Sequence, residues 1–259
     1  MCGSEIIKIN GVDFSIRRIG MGYPTIIVHG NRDRKENFVN LAKFLTNSIG
    51  GEYILIDLRG HGESQKVKTG YHIDTFVNDI IDIAKVLKID SFNYIGHSLG
   101  STIGIKLAAE YPQFLNKLIL MSAAATFKIG FKRPQFSRDH FREQLKETNE
   151  RAGHFFFSPD FPEVEKMIKE NWLKIDYDVH IQMIQLEHPD LRESAKKIKA
   201  FTLILTGLED RATTREDAEL LSELIPKNSL QLVPGSHYMF LEYFDITADK
   251  IGRFLHAEN

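Results

Sequence analysis

The pentapeptide Gly96-His97-Ser98-Leu99-Gly100 carries the residue types best suited to covalent chemistry. An apolar run, FNYIGHS (92–98), leads into it, and a helical stretch from Leu99 to Tyr111, ended by Pro112, follows. A serine placed between such a strand and helix occupies a sharp turn that projects its hydroxyl above a sheet. Glycines two residues before and two after keep side chains out of the neighbouring elements while the serine holds a strained backbone. G-x-S-x-G alone occurs by chance. The strand–turn–helix setting makes Ser98 the candidate nucleophile.

A serine hydroxyl reacts poorly at neutral pH without a base, and the base needs an orienting acid. Ten histidines compete for the first role. His97 adjoins Ser98, but its side chain leaves the turn in another direction. His29 and His61 lie in Gly-containing turns that suit structural hydrogen bonds. His140, His154, His180 and His188 fall in a long segment between two strands, and His72 and His256 lie at or near exposed helix ends. His237, in VPGSHYMF, follows the last strand and precedes the last helix. Loops at that edge of an open α/β sheet are where reacting groups converge. Asp210, in LTGLEDRATT, sits just past the seventh of eight expected strands and is the matching acid, with Glu209 its rival. A tetrahedral oxyanion needs preorganised N–H donors. The Leu99 amide at a helix start is one, and the Asn31 amide after TIIVHG (25–30) is the other.

These loops require a particular scaffold. Asn10-Gly11 between IIKI and VDFSIRRI is a tight hairpin, because both turn residues accept positive φ. TIIVHG, YILIDL (53–58), FNYIGHS, LNKLILMSA (115–123), FTLILTG (201–207) and LQLV (230–233) read as buried strands. Helices alternate with them: one opened by an Asp33–Glu36 capping box and running to about Asn47, one with Ile73, Phe76, Val77, Ile80, Ala84 and Leu87 on a single face, and others near 214–225 and 239–256. The expectation is an α/β fold with a mostly parallel eight-stranded sheet, helices on both faces and the hairpin at one edge. Residues 125–198 break the rhythm. They are too many for a plain crossover and read as a helical lid inserted between core segments 1–124 and 199–259.

Together these residues resemble the α/β-hydrolase superfamily, in its lid-bearing esterase and lipase-like branch. The resemblance spans about residues 5–256 and rests on His29-Gly30, DLRGHGES (57–64), the Ser98 turn, Gly207-x-x-Asp210 and Gly235-Ser236-His237. It implies the same Ser98, Asp210 and His237 that position along the chain selects, and a structural turn at DLRGHGES with Asp57 and Arg59 in polar contacts. Ser98 stands where haloalkane dehalogenases and epoxide hydrolases carry aspartate, and Leu99 where proline iminopeptidases typically carry tryptophan. The oxyanion loop departs from its relatives in reading HGNRDRKENF, which brings Arg32 and Arg34 to the pocket edge or to solvent. At the edge, Arg32 and Arg34 would favour an anionic acyl group. Phe155, Phe156 and Phe157, with Phe161 and Trp172, line an acyl pocket or pack the lid onto the core.

The expected activity is a cofactor-independent, metal-free hydrolase of a carboxylic ester, thioester or lactone of a small molecule. A ligand-sensing relative with slow turnover, or a cofactor-free lyase or peroxidase, could use the same parts. With 33 Lys+Arg against 35 Asp+Glu, the net charge of −2 offers no basic stripe for nucleic acid. The 42% hydrophobic and 26% charged fractions suit a soluble globular chain. The single cysteine, Cys2, permits no internal disulfide, and no run is long and apolar enough to span a bilayer. MCGSEIIKINGVDF lacks a signal-peptide pattern, so the expectation is a cytoplasmic monomer or homodimer without a membrane partner.

Overall fold

The computed structural model describes residues 3–126 and 135–257, so Cys2 lies outside the described residues, as does part of the proposed lid. Eight strands form one sheet: β1 (Glu5–Ile9), β2 (Val12–Met21), β3 (Pro24–Val28), β4 (Gly51–Ile56), β5 (Phe92–His97), β6 (Leu115–Met121), β7 (Phe201–Gly207) and β8 (Asn228–Val233). Their order is β1-β2-β4-β3-β5-β6-β7-β8. The first two pairings are antiparallel and the rest parallel. The hairpin turn uses Asn10 and Gly11 at φ 49° and 82°, as its sequence requires.

Strict alternation along the central strands divides the interior into two cores. Ile26, Val28, Ile54, Ile56, Leu118 and Leu120 face one side, while Ile27, Leu55, Ile95, Ile119, Leu203 and Leu205 face the other. A one-residue slip of any pairing would send each side chain to the opposite core, so the register is fixed by burial on both faces. Helices α1 (Val39–Ile49), α2 (Ile73–Val86) and α3 (Leu99–Glu110) come first in the chain. α2 and α3 cover the first core with Phe76, Ile80, Ile103 and Leu107. α1 covers the second with Leu41 and Leu45.

Between β6 and β7 run α4 (Phe141–Phe156), α5 (Pro162–Trp172), α6 (Tyr177–Ile184) and the single turn α7 (Arg192–Ala195). This excursion touches both cores: Phe141, Leu145 and Val179 join the first, while Phe157, Ile168 and Trp172 join the second. Helix α8 (Arg215–Leu224) follows β7, and α9 (Met239–Glu242) and α10 (Phe244–His256) close the chain. Among the described residues, no helix is long and apolar enough to cross a membrane.

Two local expectations need correction. The Asp33–Glu36 capping box does not form: Lys35–Phe38 is a short 3₁₀ turn, and α1 begins at Val39 and runs to Ile49. Asp33 instead accepts from the Arg34 N–H and the Asn37 amide, and Glu36 pairs with Lys35. The Lys35 ammonium is fully buried and also meets Asp57 at 2.7 Å and Glu63 at 2.8 Å. A long-range demand for charge neutralisation therefore overrides a local cap. The closing helix of 239–256 is likewise broken, at Tyr243, into α9 and α10.

Candidate active site

The parallel strands deliver their C-terminal ends to one edge of the sheet. The chain runs outward from β3 to β4 and then crosses to β5 on the other side of β3, which opens a crevice between the β3 and β5 ends. Gly30 and Ser98 face each other there: a Cβ on Gly30 would lie 3.2 Å from the Ser98 Cβ. Ser98 holds φ 52° and ψ −111°, a backbone that costs a non-glycine residue roughly 1–3 kcal/mol and marks functional positions. Its surroundings enforce the strain. The Ser98 N–H donates to the Met121 carbonyl at 2.9 Å, and the Ser101 hydroxyl donates to the Gly96 and Met121 carbonyls. A Cβ on Gly96 would fall on the Gly100 carbonyl, and one on Gly100 would fall on the Val28 carbonyl.

His237 lies in the loop after β8, buried beside this turn. Its Nδ1–H donates to both oxygens of Asp210, at 2.9 and 3.1 Å, which leaves Nε2 as the proton acceptor. Two donors grip its backbone carbonyl: His97 Nε2–H at 2.9 Å and the Ser122 hydroxyl at 3.1 Å. The side chain next to Ser98 thus anchors the His237 loop. Burial alone would push the Asp210 carboxyl up, but the charge and hydrogen bond of His237, with donors from Thr213, outweigh it and hold it below the usual value. Those donors are the Thr213 N–H at 2.9 Å and hydroxyl at 2.7 Å, joined by the Ala212 N–H at 2.9 Å. Glu209 is exposed. Thr213, Ser122 and the anchoring role of His97 escaped the sequence reading. A threonine three residues beyond a candidate acid is the one local signal that could have suggested the first.

The excursion between β6 and β7 also reaches this loop. Glu242 accepts from the Ser236 N–H and hydroxyl, both at 2.6 Å, and from the Ser158 N–H at 3.1 Å. The Ser236 hydroxyl also lies 2.7 Å from the Phe156 carbonyl. One carboxylate therefore ties the end of α4 to the residue preceding His237. The three phenylalanines part company here. Phe156 sets its ring edge-to-face on His237 at 5.3 Å between centroids, Phe157 packs on Trp172 and Tyr238 in the core, and Phe155 lies tilted against His154.

Across the crevice, Asn31 and Leu99 stand at the turn after β3 and the start of α3, flanking Ser98. Arg32 has φ 61°, uncommon for a long side chain. Its Nη1 donates to Asn149 Oδ1 at 2.7 Å, and its guanidinium lies over the Trp172 ring at 4.4 Å. Below it, the DLRGHGES turn has the structural role its residues suggest. Asp57 accepts from the Lys35 and Glu63 N–H groups, and Arg59 grips Asp79 through two bonds of 2.6 Å. His29 Nδ1–H donates to the Gly30 carbonyl while its Nε2 accepts from the Leu58 N–H, a neutral imidazole. Glu36, Asp57 and Glu63 cluster closely enough to hold a cation, but the Lys35 ammonium already occupies their centre.

Burial lowers the imidazoles of His29 to about 4 and of His61 and His97 to about 3. Their folded values lie below the unfolded 6.5, so the unfolded chain binds more protons in between, and stability falls as pH drops below about 6.5. Asp33 runs oppositely, because burial raises its carboxyl to about 8. Each of these histidines, and His180, which burial also lowers to about 3, costs ~2 kcal/mol at pH 5 relative to pH 7, and Asp33 returns a little more than one such amount, leaving a net loss of about 5 kcal/mol. Urea melts at pH 7, 6 and 5 should show a midpoint that falls steadily. A flat profile would contradict these neutral histidines.

The profile of the alpha/beta hydrolase fold family matches residues 23–154, a stretch that includes the Ser98 turn. The chain belongs to the α/β hydrolase family. Among curated relatives of this hydrolase, the AB hydrolase superfamily protein YisY of Bacillus subtilis is 30% identical over 236 residues, covering 83% of this chain and 87% of that protein. A 3-oxoadipate enol-lactonase 2 from Acinetobacter baylyi is 29% identical over 196 residues, 73% of each chain. In fold, the hydrolase is similar to the enol-lactonase of Burkholderia xenovorans, with a TM-score of 0.87 at 21% identity, covering 98% of this chain and 100% of that one. An esterase from Exiguobacterium antarcticum gives 0.80 at 24% identity, covering 99% and 100%.

Proposed function

We propose that this protein is a serine hydrolase that cleaves a carboxylic ester or lactone of a small molecule through an acyl-enzyme. The observation that carries the reading is the His237–Asp210 pair held beside a serine on strained backbone. Ser98 Oγ attacks the carbonyl carbon while His237 Nε2 takes its proton. The Asn31 and Leu99 amides receive the charge that develops on the carbonyl oxygen. As the tetrahedral adduct collapses, the C–O bond of the leaving group breaks and His237 returns the proton to the departing oxygen. Water then enters, gives a proton to His237 and attacks the acyl carbon, and Ser98 leaves with that proton. Asp210 stays ionised and steadies the imidazolium. The curated enol-lactonase relative supports lactones as a substrate class beside open esters.

A panel of nitrophenyl esters, acyl-CoA thioesters and simple lactones of varied chain length tests this, read for a burst of first product. A burst with esters or lactones is expected. Its absence across the panel, with ligands that raise the melting temperature, would favour a sensor.

Within this reading the intervening helices set acyl selectivity, and the phenylalanines separate two effects. Phe156→Ala removes the ring against His237 and should shift the preferred acyl chain length. Phe157→Ala empties a core position and should cost about 3–5 kcal/mol of stability while preserving the order of substrate preference. Rates across an ester series, beside melting curves, distinguish them. Unchanged selectivity in a well-folded Phe156→Ala protein would move the acyl pocket elsewhere.

A further inference from the structure

Arg32 presents an unusual balance. Its guanidinium is half-buried, and its polar contacts among the described residues are one neutral hydrogen bond to Asn149 Oδ1 and the face of Trp172. No carboxylate stands at ion-pair distance from it among the described residues, although five N–H donors project from its head. Burial lowers its pKa to about 10, the direction expected of a cation held without a counter-ion. The groups around it are also under-used. Asn149 is buried and its Nδ2 has no partner. His180 is buried with neither ring nitrogen partnered, and the charges of Arg32 and Arg142 add to burial in holding it neutral, at about 3. A neutral imidazole still offers one N–H.

A polar cavity of about 50 Å³ adjoins the same arginine, lined also by Arg34, Lys66 and Lys174. The one acidic group on its wall, Asp33, is raised by burial to about 8 and so carries a proton at neutral pH. Arg32 itself stands one residue beyond Asn31, whose amide would hold the oxyanion. The Trp172 ring beneath the guanidinium packs on Phe156, which packs in turn on His237, so a substituent bound at Arg32 would lie two rings from the base.

We infer that Arg32, with Asn149 Nδ2 and His180, forms a subsite for a carboxylate carried by the substrate, so that the preferred ester or lactone is that of a dicarboxylic acid. The inference rests on the hydrolase reading for its catalytic consequence, though not for binding. A planar guanidinium matches a carboxylate through two parallel hydrogen bonds. The bound anion supplies the counter-charge that the folded chain does not provide, and displaces the Asn149 contact or shares it.

The test compares two 4-nitrophenyl esters of glutaric acid, one with its second carboxyl free and one with it methylated. The free carboxylate should be favoured at least about tenfold in kcat/KM, as expected where a buried polar site rejects an analogue lacking its partner. Arg32→Met should collapse that ratio toward one, Arg32→Lys should keep part of it, and Asn149→Leu should narrow it. A wild-type ratio under tenfold, or one that survives in Arg32→Met, overturns the subsite. If neither ester turns over, binding decides. Glutarate should raise the melting temperature of the unaltered protein and of Ser98→Ala, uncharged glutaramide should not, and Arg32→Met should abolish the shift. Failed turnover with that shift intact would sink the hydrolase reading alone. Equal effects of glutarate and glutaramide would sink the subsite.

Discussion

Replacing Ser98 with alanine should lower kcat by at least ~10³-fold while leaving the fold intact, because the serine, base and acid act as a unit. The substitution removes the hydroxyl but neither the Met121 carbonyl contact of its N–H nor the packing of Gly96 and Gly100. It also keeps the backbone at φ 52°, so the melting temperature should move little. A fluorophosphonate should add a single mass label to the unaltered protein, mapped to the peptide containing Ser98, and none to the variant. Labelling at another serine, or near-full activity in Ser98→Ala, would overturn the assignment. Ser98→Gly offers a second readout of the strain. Glycine adopts positive φ without penalty, so that variant should be inactive yet somewhat more stable, by up to about 1–3 kcal/mol.

Asp210→Asn should cost ~10²–10⁴-fold in kcat with a folded protein, since an amide cannot neutralise the imidazolium and lets the ring settle in the wrong tautomer. The carboxylate accepts from His237 and also from the Ala212 and Thr213 amides and the Thr213 hydroxyl. An asparagine Oδ1 can keep the amide contacts while its Nδ2 is forced against a donor, either the hydroxyl or the imidazole N–H. Glu209→Gln changes an exposed side chain and should cost less than about tenfold. Measuring kcat for both variants on one ester decides between them. A larger loss at Glu209 would hand it the role, and equal indifference would move the acid to another strand end. Thr213→Val is an informative companion, because it removes one donor to Asp210 without touching charge.

Much of this arrangement was legible in residue order, for physical reasons. Strands buried on both faces must be continuous apolar runs, so TIIV, YILI and LILM announce themselves and their alternation sets the register. The ends of those runs then locate Ser98, Asp210 and His237 without knowledge of any contact. What stayed hidden depends on partners distant in the chain. The Asp33–Glu36 pattern is locally a good cap, yet Asp57, 22 positions away from Lys35, and Glu63, 28 positions away, draw the lysine inward. Arg32 could be placed at the pocket edge or in solvent by its neighbours alone. Its actual companion, Asn149, lies 117 positions further on, and no local pattern records that pairing. The same holds for Glu242, which reads as an unremarkable helix residue until Ser158, 84 positions earlier, is brought beside it.

The excursion that carries Asn149, Phe156 and His180 leaves the sheet after Met121 and returns at Phe201, into strands that pair with one another directly. β6 and β7 run parallel, so the excursion must also cross back along the sheet. The stretch between Ala125 and Leu191 nonetheless starts and ends together, the Leu191 N–H donating to the Ala125 carbonyl at 2.8 Å. That stretch can be exchanged without changing the register of Met121 against Leu205. The chain is in this sense a cassette holder. On the proposed reading, most of what would distinguish one small acid from another is borne on a replaceable stretch, while the reacting groups stay on the frame. The carboxylate of Glu242 is the fastener between the two, holding Ser236 on the frame and Ser158 on the cassette. A graft from a related hydrolase would have to supply a backbone N–H at the Ser158 position, and a carbonyl for the Ser236 hydroxyl, before its other residues mattered.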